Sequence, residues 1–236
     1  MGTFDQFGVM AGTVLPVGGE VWLYYVGWSR TQGVPYQHAI GLAISKDGGE
    51  TFSRYDRGPI IGRSAREPFI QNSPFVTLID GVFHMWYSSG TEWLMVDGRA
   101  ESVYIVMHAT SKDGIEWQRE GVGCVPAIVE HECQTNPSVL KIGGRFHMWF
   151  CYRHGVDFRN VDRGYRIGYA WSDDLRTWQR DDARGGLLPA TEGWDAEMVC
   201  YPCVQPTANG LVMFYSGNYF GRDGFGYAVR ETGSAV

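Results

Sequence analysis

The chain has 236 residues, 44% of them hydrophobic and 14% aromatic, with 32 Gly and 10 Pro, the balance of a turn-rich β protein rather than a helical bundle. Twenty Lys and Arg against 26 Asp and Glu leave a formal charge of -6 without any run of like charge, which excludes a duplex nucleic-acid binder that works by counterion release. No apolar stretch reaches the roughly 18 residues that a membrane helix needs, and the Met1-Gly2-Thr3-Phe4-Asp5 start lacks the pattern of a secretory leader. Five cysteines without paired spacing fit a reduced, cytoplasmic protein, and Cys200 and Cys203, three apart in a strand-like stretch, are expected on opposite faces and in the core.

The predicted elements recur along the chain. In the first repeat a strand containing Gly12-Thr13-Val14 leads through Gly18-Gly19 into Val21–Tyr25. A third strand then spans Ala39–Ile44 and ends in the turn Ser45-Lys46-Asp47-Gly48-Gly49-Glu50-Thr51-Phe52. The second repeat reads Pro74-Phe75-Val76, Asp80-Gly81, Phe83–Tyr87, Tyr104–Thr110 and a Ser111-to-Trp117 turn; the third reads Pro137-Ser138-Val139, Gly143-Gly144, Phe146–Phe150, Arg166–Trp171 and a Ser172-to-Trp178 turn. The fourth begins at Pro202-Cys203-Val204, turns at Asn209-Gly210 and runs through Leu211–Tyr215. Tyr24, Trp86, Trp149 and Phe214 are spaced 62, 63 and 65 apart, and Gly12, Pro74, Pro137 and Pro202 repeat with the same intervals. A short Asp folds each third-strand turn by bonding its own backbone, as in the Asp-box of sialidases, which the first copy resembles.

Strand, turn, strand, long loop, strand, Asp turn and strand make a blade. The expected fold is therefore an all-β propeller of four-stranded antiparallel blades in a single domain over 1–236, with repeats near 5–66, 67–129, 130–194 and 195–236. The fourth repeat stops early, so the ring is expected either to close with four blades or to lean on another chain, and an unpaired edge strand favours a homo-oligomer.

Seven residues before Gly12, Pro74, Pro137 and Pro202 stand Asp5, Glu67, Glu130 and Asp195, and Glu132 and Glu197 add carboxylates at offset five. Carboxylates gathered at the mouth of a propeller channel would push their pKa values apart, as acid–base chemistry requires; the competing reading has them capping turns or holding blades together through Arg. Arg66 adjoins Glu67 as an expected partner, and His131 between Glu130 and Glu132 would face away from both in a strand. The long loops carry Trp28, Tyr36 and His38, then Trp93, then Arg153 and His154, then Asn218, a mixture of aromatic faces and hydrogen-bonding groups suited to a sugar ring. The chemistry requires no cofactor; a cation held by the carboxylates would be Ca²⁺ or Mg²⁺, whose preference is for hard oxygen ligands.

The His-Met-Trp strands, the Ser-x-Asp turns, Arg66-Glu67-Pro68 and Trp194-Asp195-x-Glu197-Met198 together resemble the five-bladed propeller glycoside hydrolases, the superfamily of invertase/levanase and arabinanase/xylosidase enzymes, and most closely its glycosidase-like members. The resemblance spans nearly the whole chain. It implies an acidic nucleophile or base at Asp5, a transition-state stabiliser at Glu67 and a general acid at Glu132, next to Cys133. It departs where Asp5 lacks an Asn-Asp-Pro-Asn setting, where Glu67 replaces Asp, and in the number of blades. The activity so implied is carboxylate-driven cleavage of a small glycoside or sugar conjugate. The alternatives are a non-catalytic carbohydrate-binding or scaffold propeller, and phosphorolysis or a biosynthetic elimination or rearrangement with Arg66, Arg153 and His154 receiving an anion.

Overall fold

The computed structural model describes residues 1–231. Each predicted hairpin is formed. Gly18-Gly19, Asp80-Gly81 and Gly143-Gly144 all take positive φ at both central residues, the conformation whose twist matches that of the strands it joins.

Two compact units divide the chain, Met1–Gly123 and a second beginning at Cys124. The first unit holds two four-stranded antiparallel sheets. One is ordered β1 (Gly8–Val17), β2 (Glu20–Ser29), β3 (Gln37–Ser45) and β4 (Ser53–Arg54); the other is β5 (Gln71–Ile79), β6 (Val82–Val96), β7 (Arg99–Ser111) and β8 (Gln118–Gly123). The second unit holds the four-stranded sheet of β9 (Cys133–Ile142), β10 (Arg145–Arg153), β11 (Arg166–Ser172) and β12 (Gln179–Arg180), and a sheet with three described strands, β13 (Cys200–Thr207), β14 (Gly210–Ser216) and β15 (Phe225–Glu231). These are four propeller blades, with almost no helix. No helix among the described residues is long and apolar enough to cross a membrane.

Every innermost strand is bulged at the same point, between Ala11 and Thr13, Asn72 and Phe75, and Cys200 and Cys203 on their own strands, and opposite Trp149/Cys151 in the third blade. Ser73, Asn136 and Tyr201, each just before the repeated proline, sit at φ 50, 49 and 58. Gly12 replaces that proline in the first blade because a Cβ there would lie 2.6 Å from the Pro74 ring and 2.8 Å from the Tyr24 carbonyl. The bulge brings the innermost strands of paired blades within reach of a hydroxyl. Thr13 Oγ1 donates to the Pro74 carbonyl at 2.8 Å and accepts from Val76 N–H at 3.0 Å; Ser138, the matching residue of the third blade, accepts from Val204 N–H at 3.0 Å.

Within the first unit the blades share a core of Trp22, Tyr24, Ile40, Leu42, Val76, Phe83, Met85 and Tyr87, and the Tyr24 hydroxyl donates to the Gly114 carbonyl of the next blade at 3.0 Å. In the second unit Trp149, Tyr169, Val199, Val204, Met213 and Tyr215 do the same work. Tyr24, Trp86 and Trp149 are buried as their periodicity predicts, but Phe214 is 43% exposed beside Phe225, Tyr227 and Val229, all on one face of the last sheet. Cys200 is buried and Cys203 exposed, so they face opposite sides, and the expectation that both lie in the core holds only for Cys200.

The Asp turns share one hydrogen-bond pattern. Ser172 Oγ accepts from Leu175 N–H at 2.9 Å, and Asp174 Oδ1 accepts from Arg176 and Thr177 N–H at 2.9 and 2.8 Å; Ser111 with Asp113 repeats the arrangement, and in the first copy, one residue longer, Ser45 accepts from Gly49 N–H and Asp47 from the Thr51 N–H and hydroxyl. The Thr177 and Arg176 amides hold the Asp174 carboxyl down to about 2. A folded-state value below the unfolded one stabilises the native chain fully above about pH 4 and ceases to do so as pH falls towards that folded value. Asp174→Asn is therefore expected to lower the melting temperature at pH 6 and to differ less and less from the parent as pH approaches 2. Equal differences at both ends of a melting-temperature series would contradict this origin.

Candidate active site

Three carboxylates are buried to within a few per cent of full enclosure: Asp5, Glu67 and Glu132. A buried carboxylate is tolerated only where donors replace its lost water, and each of the three finds them within its own blade.

Asp5 lies in the turn that leads into β1. The turn is pinned by Phe4, whose ring stacks on Tyr25 at 5.8 Å and covers Gly27 and Gly41, where a Cβ would approach it to 2.4 and 2.6 Å. Asp5 Oδ2 accepts from the Tyr25 hydroxyl at 3.0 Å and forms an ion pair with Arg54. Burial alone would raise its pKa, but hydrogen bonds from Arg54, Thr3 and Tyr25 outweigh burial and hold the carboxyl below its ordinary range. Burial, reinforced by the Asp5 charge, pushes the Tyr25 phenol up to about 12, so it remains a donor. Asp5 borders a cleft of about 540 Å³ together with Met1, Thr3, Arg54, Asp56 and Arg57.

Glu67 precedes β5 in a short turn closed by Glu67 N–H to Ser64 Oγ at 3.2 Å. Its two oxygens accept from the Tyr87 hydroxyl at 3.0 and 2.9 Å, Oε2 also accepts from Ser89 Oγ at 2.9 Å, and Arg119 of β8 stands at 3.4 Å. Arg66, the expected partner, is exposed on the surface, because adjacent residues of this turn point apart. Arg119 takes the role that sequence adjacency gave to Arg66.

Glu132 accepts from Arg180 Nη1 at 2.6 Å, Gln134 Nε2 at 2.8 Å and Ile128 N–H at 3.0 Å. Arg180 also pairs with Asp182 at 2.8 Å and lies over the Tyr152 ring at 4.4 Å. In the last blade Asp195 Oδ2 accepts from the Tyr215 hydroxyl at 2.8 Å.

A rule emerges that offset counting from the proline misses. The first, second and fourth blades each place a tyrosine hydroxyl on the acid twenty positions before it: Asp5–Tyr25, Glu67–Tyr87 and Asp195–Tyr215. In the third blade the matching aromatic is Phe150, which has no hydroxyl. Glu130, the acid at the common offset, is accordingly exposed and pairs with its neighbour His131 at 3.6 Å, while Glu132 is drawn inside by Arg180. His131 itself occupies a turn at φ 51, not a strand. The arginines were also legible: Arg54, Arg119 and Arg180 each stand two residues after the aromatic that closes an Asp turn, Phe52, Trp117 and Trp178.

The remaining sequence candidates separate. Trp28, Tyr36, His38 and Trp93 form one aromatic cluster in the first unit, with Trp28–His38, Tyr36–His38 and Tyr36–Trp93 ring centroids 4.1, 4.6 and 5.1 Å apart. Arg153 is buried with its guanidinium 3.6 Å above the Phe158 ring, and Nη1 bonded to the His154 carbonyl. His154 lines a separate cleft of about 290 Å³ with Glu130, His131 and Arg163. Asn218 is spent on the chain itself: Oδ1 accepts from Glu197 and Met198 N–H, and Nδ2 donates to the Gly193 carbonyl. Glu197 takes part through its backbone. Among the described residues no group of three His, Cys, Asp or Glu is arranged to hold a metal ion.

The β-propeller fold is one that the chain shares with solved glycoside hydrolases. A solved glycoside hydrolase superposes with a TM-score of 0.75 at 18% identity, over 100% of this chain and 73% of that one. A structure from a study of GH130 mannoside phosphorylases and of glycoside hydrolases targeting β-1,2 mannosidic linkages in Candida mannan superposes at 0.62 and 17% identity, over 91% and 60%. The chain belongs to the family of the uncharacterized Mycobacterium tuberculosis proteins Rv1502 and MT1551, to each of which it is 34% identical over 231 residues, 98% of this chain and 74% of theirs. It is also 30% identical over 166 residues to a 1,2-β-oligomannan phosphorylase of Thermoanaerobacter, covering 70% of this chain and 47% of that one. No family model matches the chain.

The Arg180–Glu132 pair is nearly solvent-free, with side chains 4% and 0% exposed, whereas Arg54 beside Asp5 is 59% exposed. Arg180→Met strands a buried carboxylate and should destabilise the fold by about 3–5 kcal/mol in urea unfolding. Adding Glu132→Gln should recover part of that loss, and Arg54→Met should change stability far less. A double variant no more stable than Arg180→Met would refute the pairing as the source.

Proposed function

We propose that the protein is a carbohydrate-active enzyme that cleaves a glycosidic bond in a small glycoside or sugar conjugate, with Asp5, Glu67 and Glu132 as its working acids. The observation that carries this reading is Asp5, a carboxylate kept ionised by Arg54, Thr3 and Tyr25 at the edge of an open cleft. An ionised carboxylate there is fit to activate a nucleophile or to attack a sugar carbon. Glu67, locked by Tyr87, Ser89 and Arg119, has its carboxyl oxygens fixed in place, which suits a group that steadies an oxocarbenium-like transition state. Glu132 is the proton donor that the resemblance implies. Each of its hydrogen-bond partners donates to it, so the role requires the Arg180 contact to open when substrate binds. Asp195, held by the Tyr215 hydroxyl, is a supporting acid.

Phosphorolysis is a second reading with an observation of its own. Arg54 and Arg57 line the Asp5 cleft, which gives an attacking phosphate a cationic berth, and the oligomannan phosphorylase is among the relatives. A cation bound by these acids would be Ca²⁺ or Mg²⁺, by the preference of carboxylate oxygens.

The test is incubation with β-1,2-mannobiose and other small glycosides, with and without inorganic phosphate, following free sugar and sugar 1-phosphate. Asp5→Asn should reduce turnover at least ~100-fold with the fold intact, and Glu132→Gln likewise. Phosphate-dependent release of a sugar 1-phosphate, weakened by Arg57→Ala, selects phosphorolysis. Turnover retained in both acid variants would overturn the assignment.

A further inference from the structure

His38 and Asn72 form a buried polar pair in the first unit that the acid chemistry does not use. His38 is 5% exposed and Asn72 7% exposed, and the imidazole Nδ1 and the amide Nδ2 lie 3.4 Å apart. His38 Nε2 and Asn72 Oδ1 are both enclosed and have no hydrogen-bond partner among the described residues. Buried polar atoms in this state are costly, of the order of 1–3 kcal/mol each, and so need a reason.

With Asn72 Nδ2–H donating to Nδ1, the imidazole proton sits on Nε2. The pair then presents two enclosed atoms without a partner among the described residues, the donor Nε2–H and the acceptor Oδ1. Turning the amide around makes Nε2 the acceptor and the amide nitrogen the donor, and again one of each is left over. A carboxylate or phosphate only accepts, and an ammonium only donates, so either leaves one atom unpaired. Hydroxyls do both. Burial also pushes the His38 imidazole down to about 4, so at neutral pH it carries no charge to attract an anion. The half-exposed rings of Trp28 and Tyr36 lie against His38, with Trp93 edge-on to Tyr36, and their faces suit the C–H face of a sugar.

We propose that His38 and Asn72, beneath Trp28, Tyr36 and Trp93, form a subsite that recognises the hydroxyls of an uncharged sugar ring. This rests on the glycoside reading and assigns its substrate class: neutral saccharides over uronic acids and sugar phosphates. Both atoms are enclosed and His38 is packed against Trp28 and Tyr36, so ligand entry requires one of those rings to turn away from His38.

The experiment is titration of the full chain with β-1,2-mannobiose, cellobiose, mannose 1-phosphate and glucuronate, read by calorimetry and tryptophan fluorescence. A neutral disaccharide should bind saturably with a change in fluorescence, and more tightly than either charged sugar. His38→Phe and Asn72→Leu should each weaken that binding about tenfold or more at an unchanged far-ultraviolet circular dichroism spectrum; either variant suffices should the other fail to fold. Absence of neutral-sugar binding, preference for a charged sugar, or undiminished binding by a folded variant overturns the proposal. Binding that depends on His38 with no turnover of any glycoside would leave the subsite standing and sink the enzymatic reading. Turnover that depends on Asp5 but is indifferent to His38 and Asn72 would do the reverse.

Discussion

A carboxylate that enters each blade ahead of its first strand, buried in the first three and half-buried in the fourth, is the constraint around which the other side chains are arranged. Its water is replaced by a tyrosine hydroxyl from the second strand and, in the first two blades, by an arginine from the fourth. One charge thus gathers the entering turn, the middle of the sheet and its last strand. The third blade shows what happens when a part changes: with Phe150 in the tyrosine position, the acid shifts by two residues and Arg180 becomes the chief donor.

In the proposed reading the same groups prepare the chemistry. An acid held by fixed donors is already oriented before substrate arrives, so little reorganisation is needed at the moment of reaction. The three acids are not equivalent. Asp5 meets an open cleft and an exposed arginine, whereas Glu67 and Glu132 are sealed among their donors. In the proposed reading that difference in access, rather than residue type, separates an acid free to meet substrate from one that must first be released.

The blades pair through modest means. A single hydroxyl, on Thr13 or Ser138, stitches one innermost strand to the next, and a shared aromatic and aliphatic core fills the space behind it. The bulge at each repeated proline makes that approach possible, and the glycine at position 12 is the one place where the approach leaves no room for a side chain.

The sequence by itself determined the blade count, the hairpins, the Asp turns and the presence of an acid before each inner strand, because these depend on local periodicity and on turn residues a few positions apart. The tyrosine twenty positions after the acid in three blades, and the arginine two after each closing aromatic, were written there as well, but spacing alone does not say that they meet. Only the tertiary structure decided that Glu132 and not Glu130 is buried, that Arg119 and not Arg66 serves Glu67, and that Asn218 and Arg153 support the chain. It alone brought His38 against Asn72. Each of those choices turns on which donor can reach a desolvated group across a folded sheet, a question of distance and direction that a one-dimensional pattern does not contain.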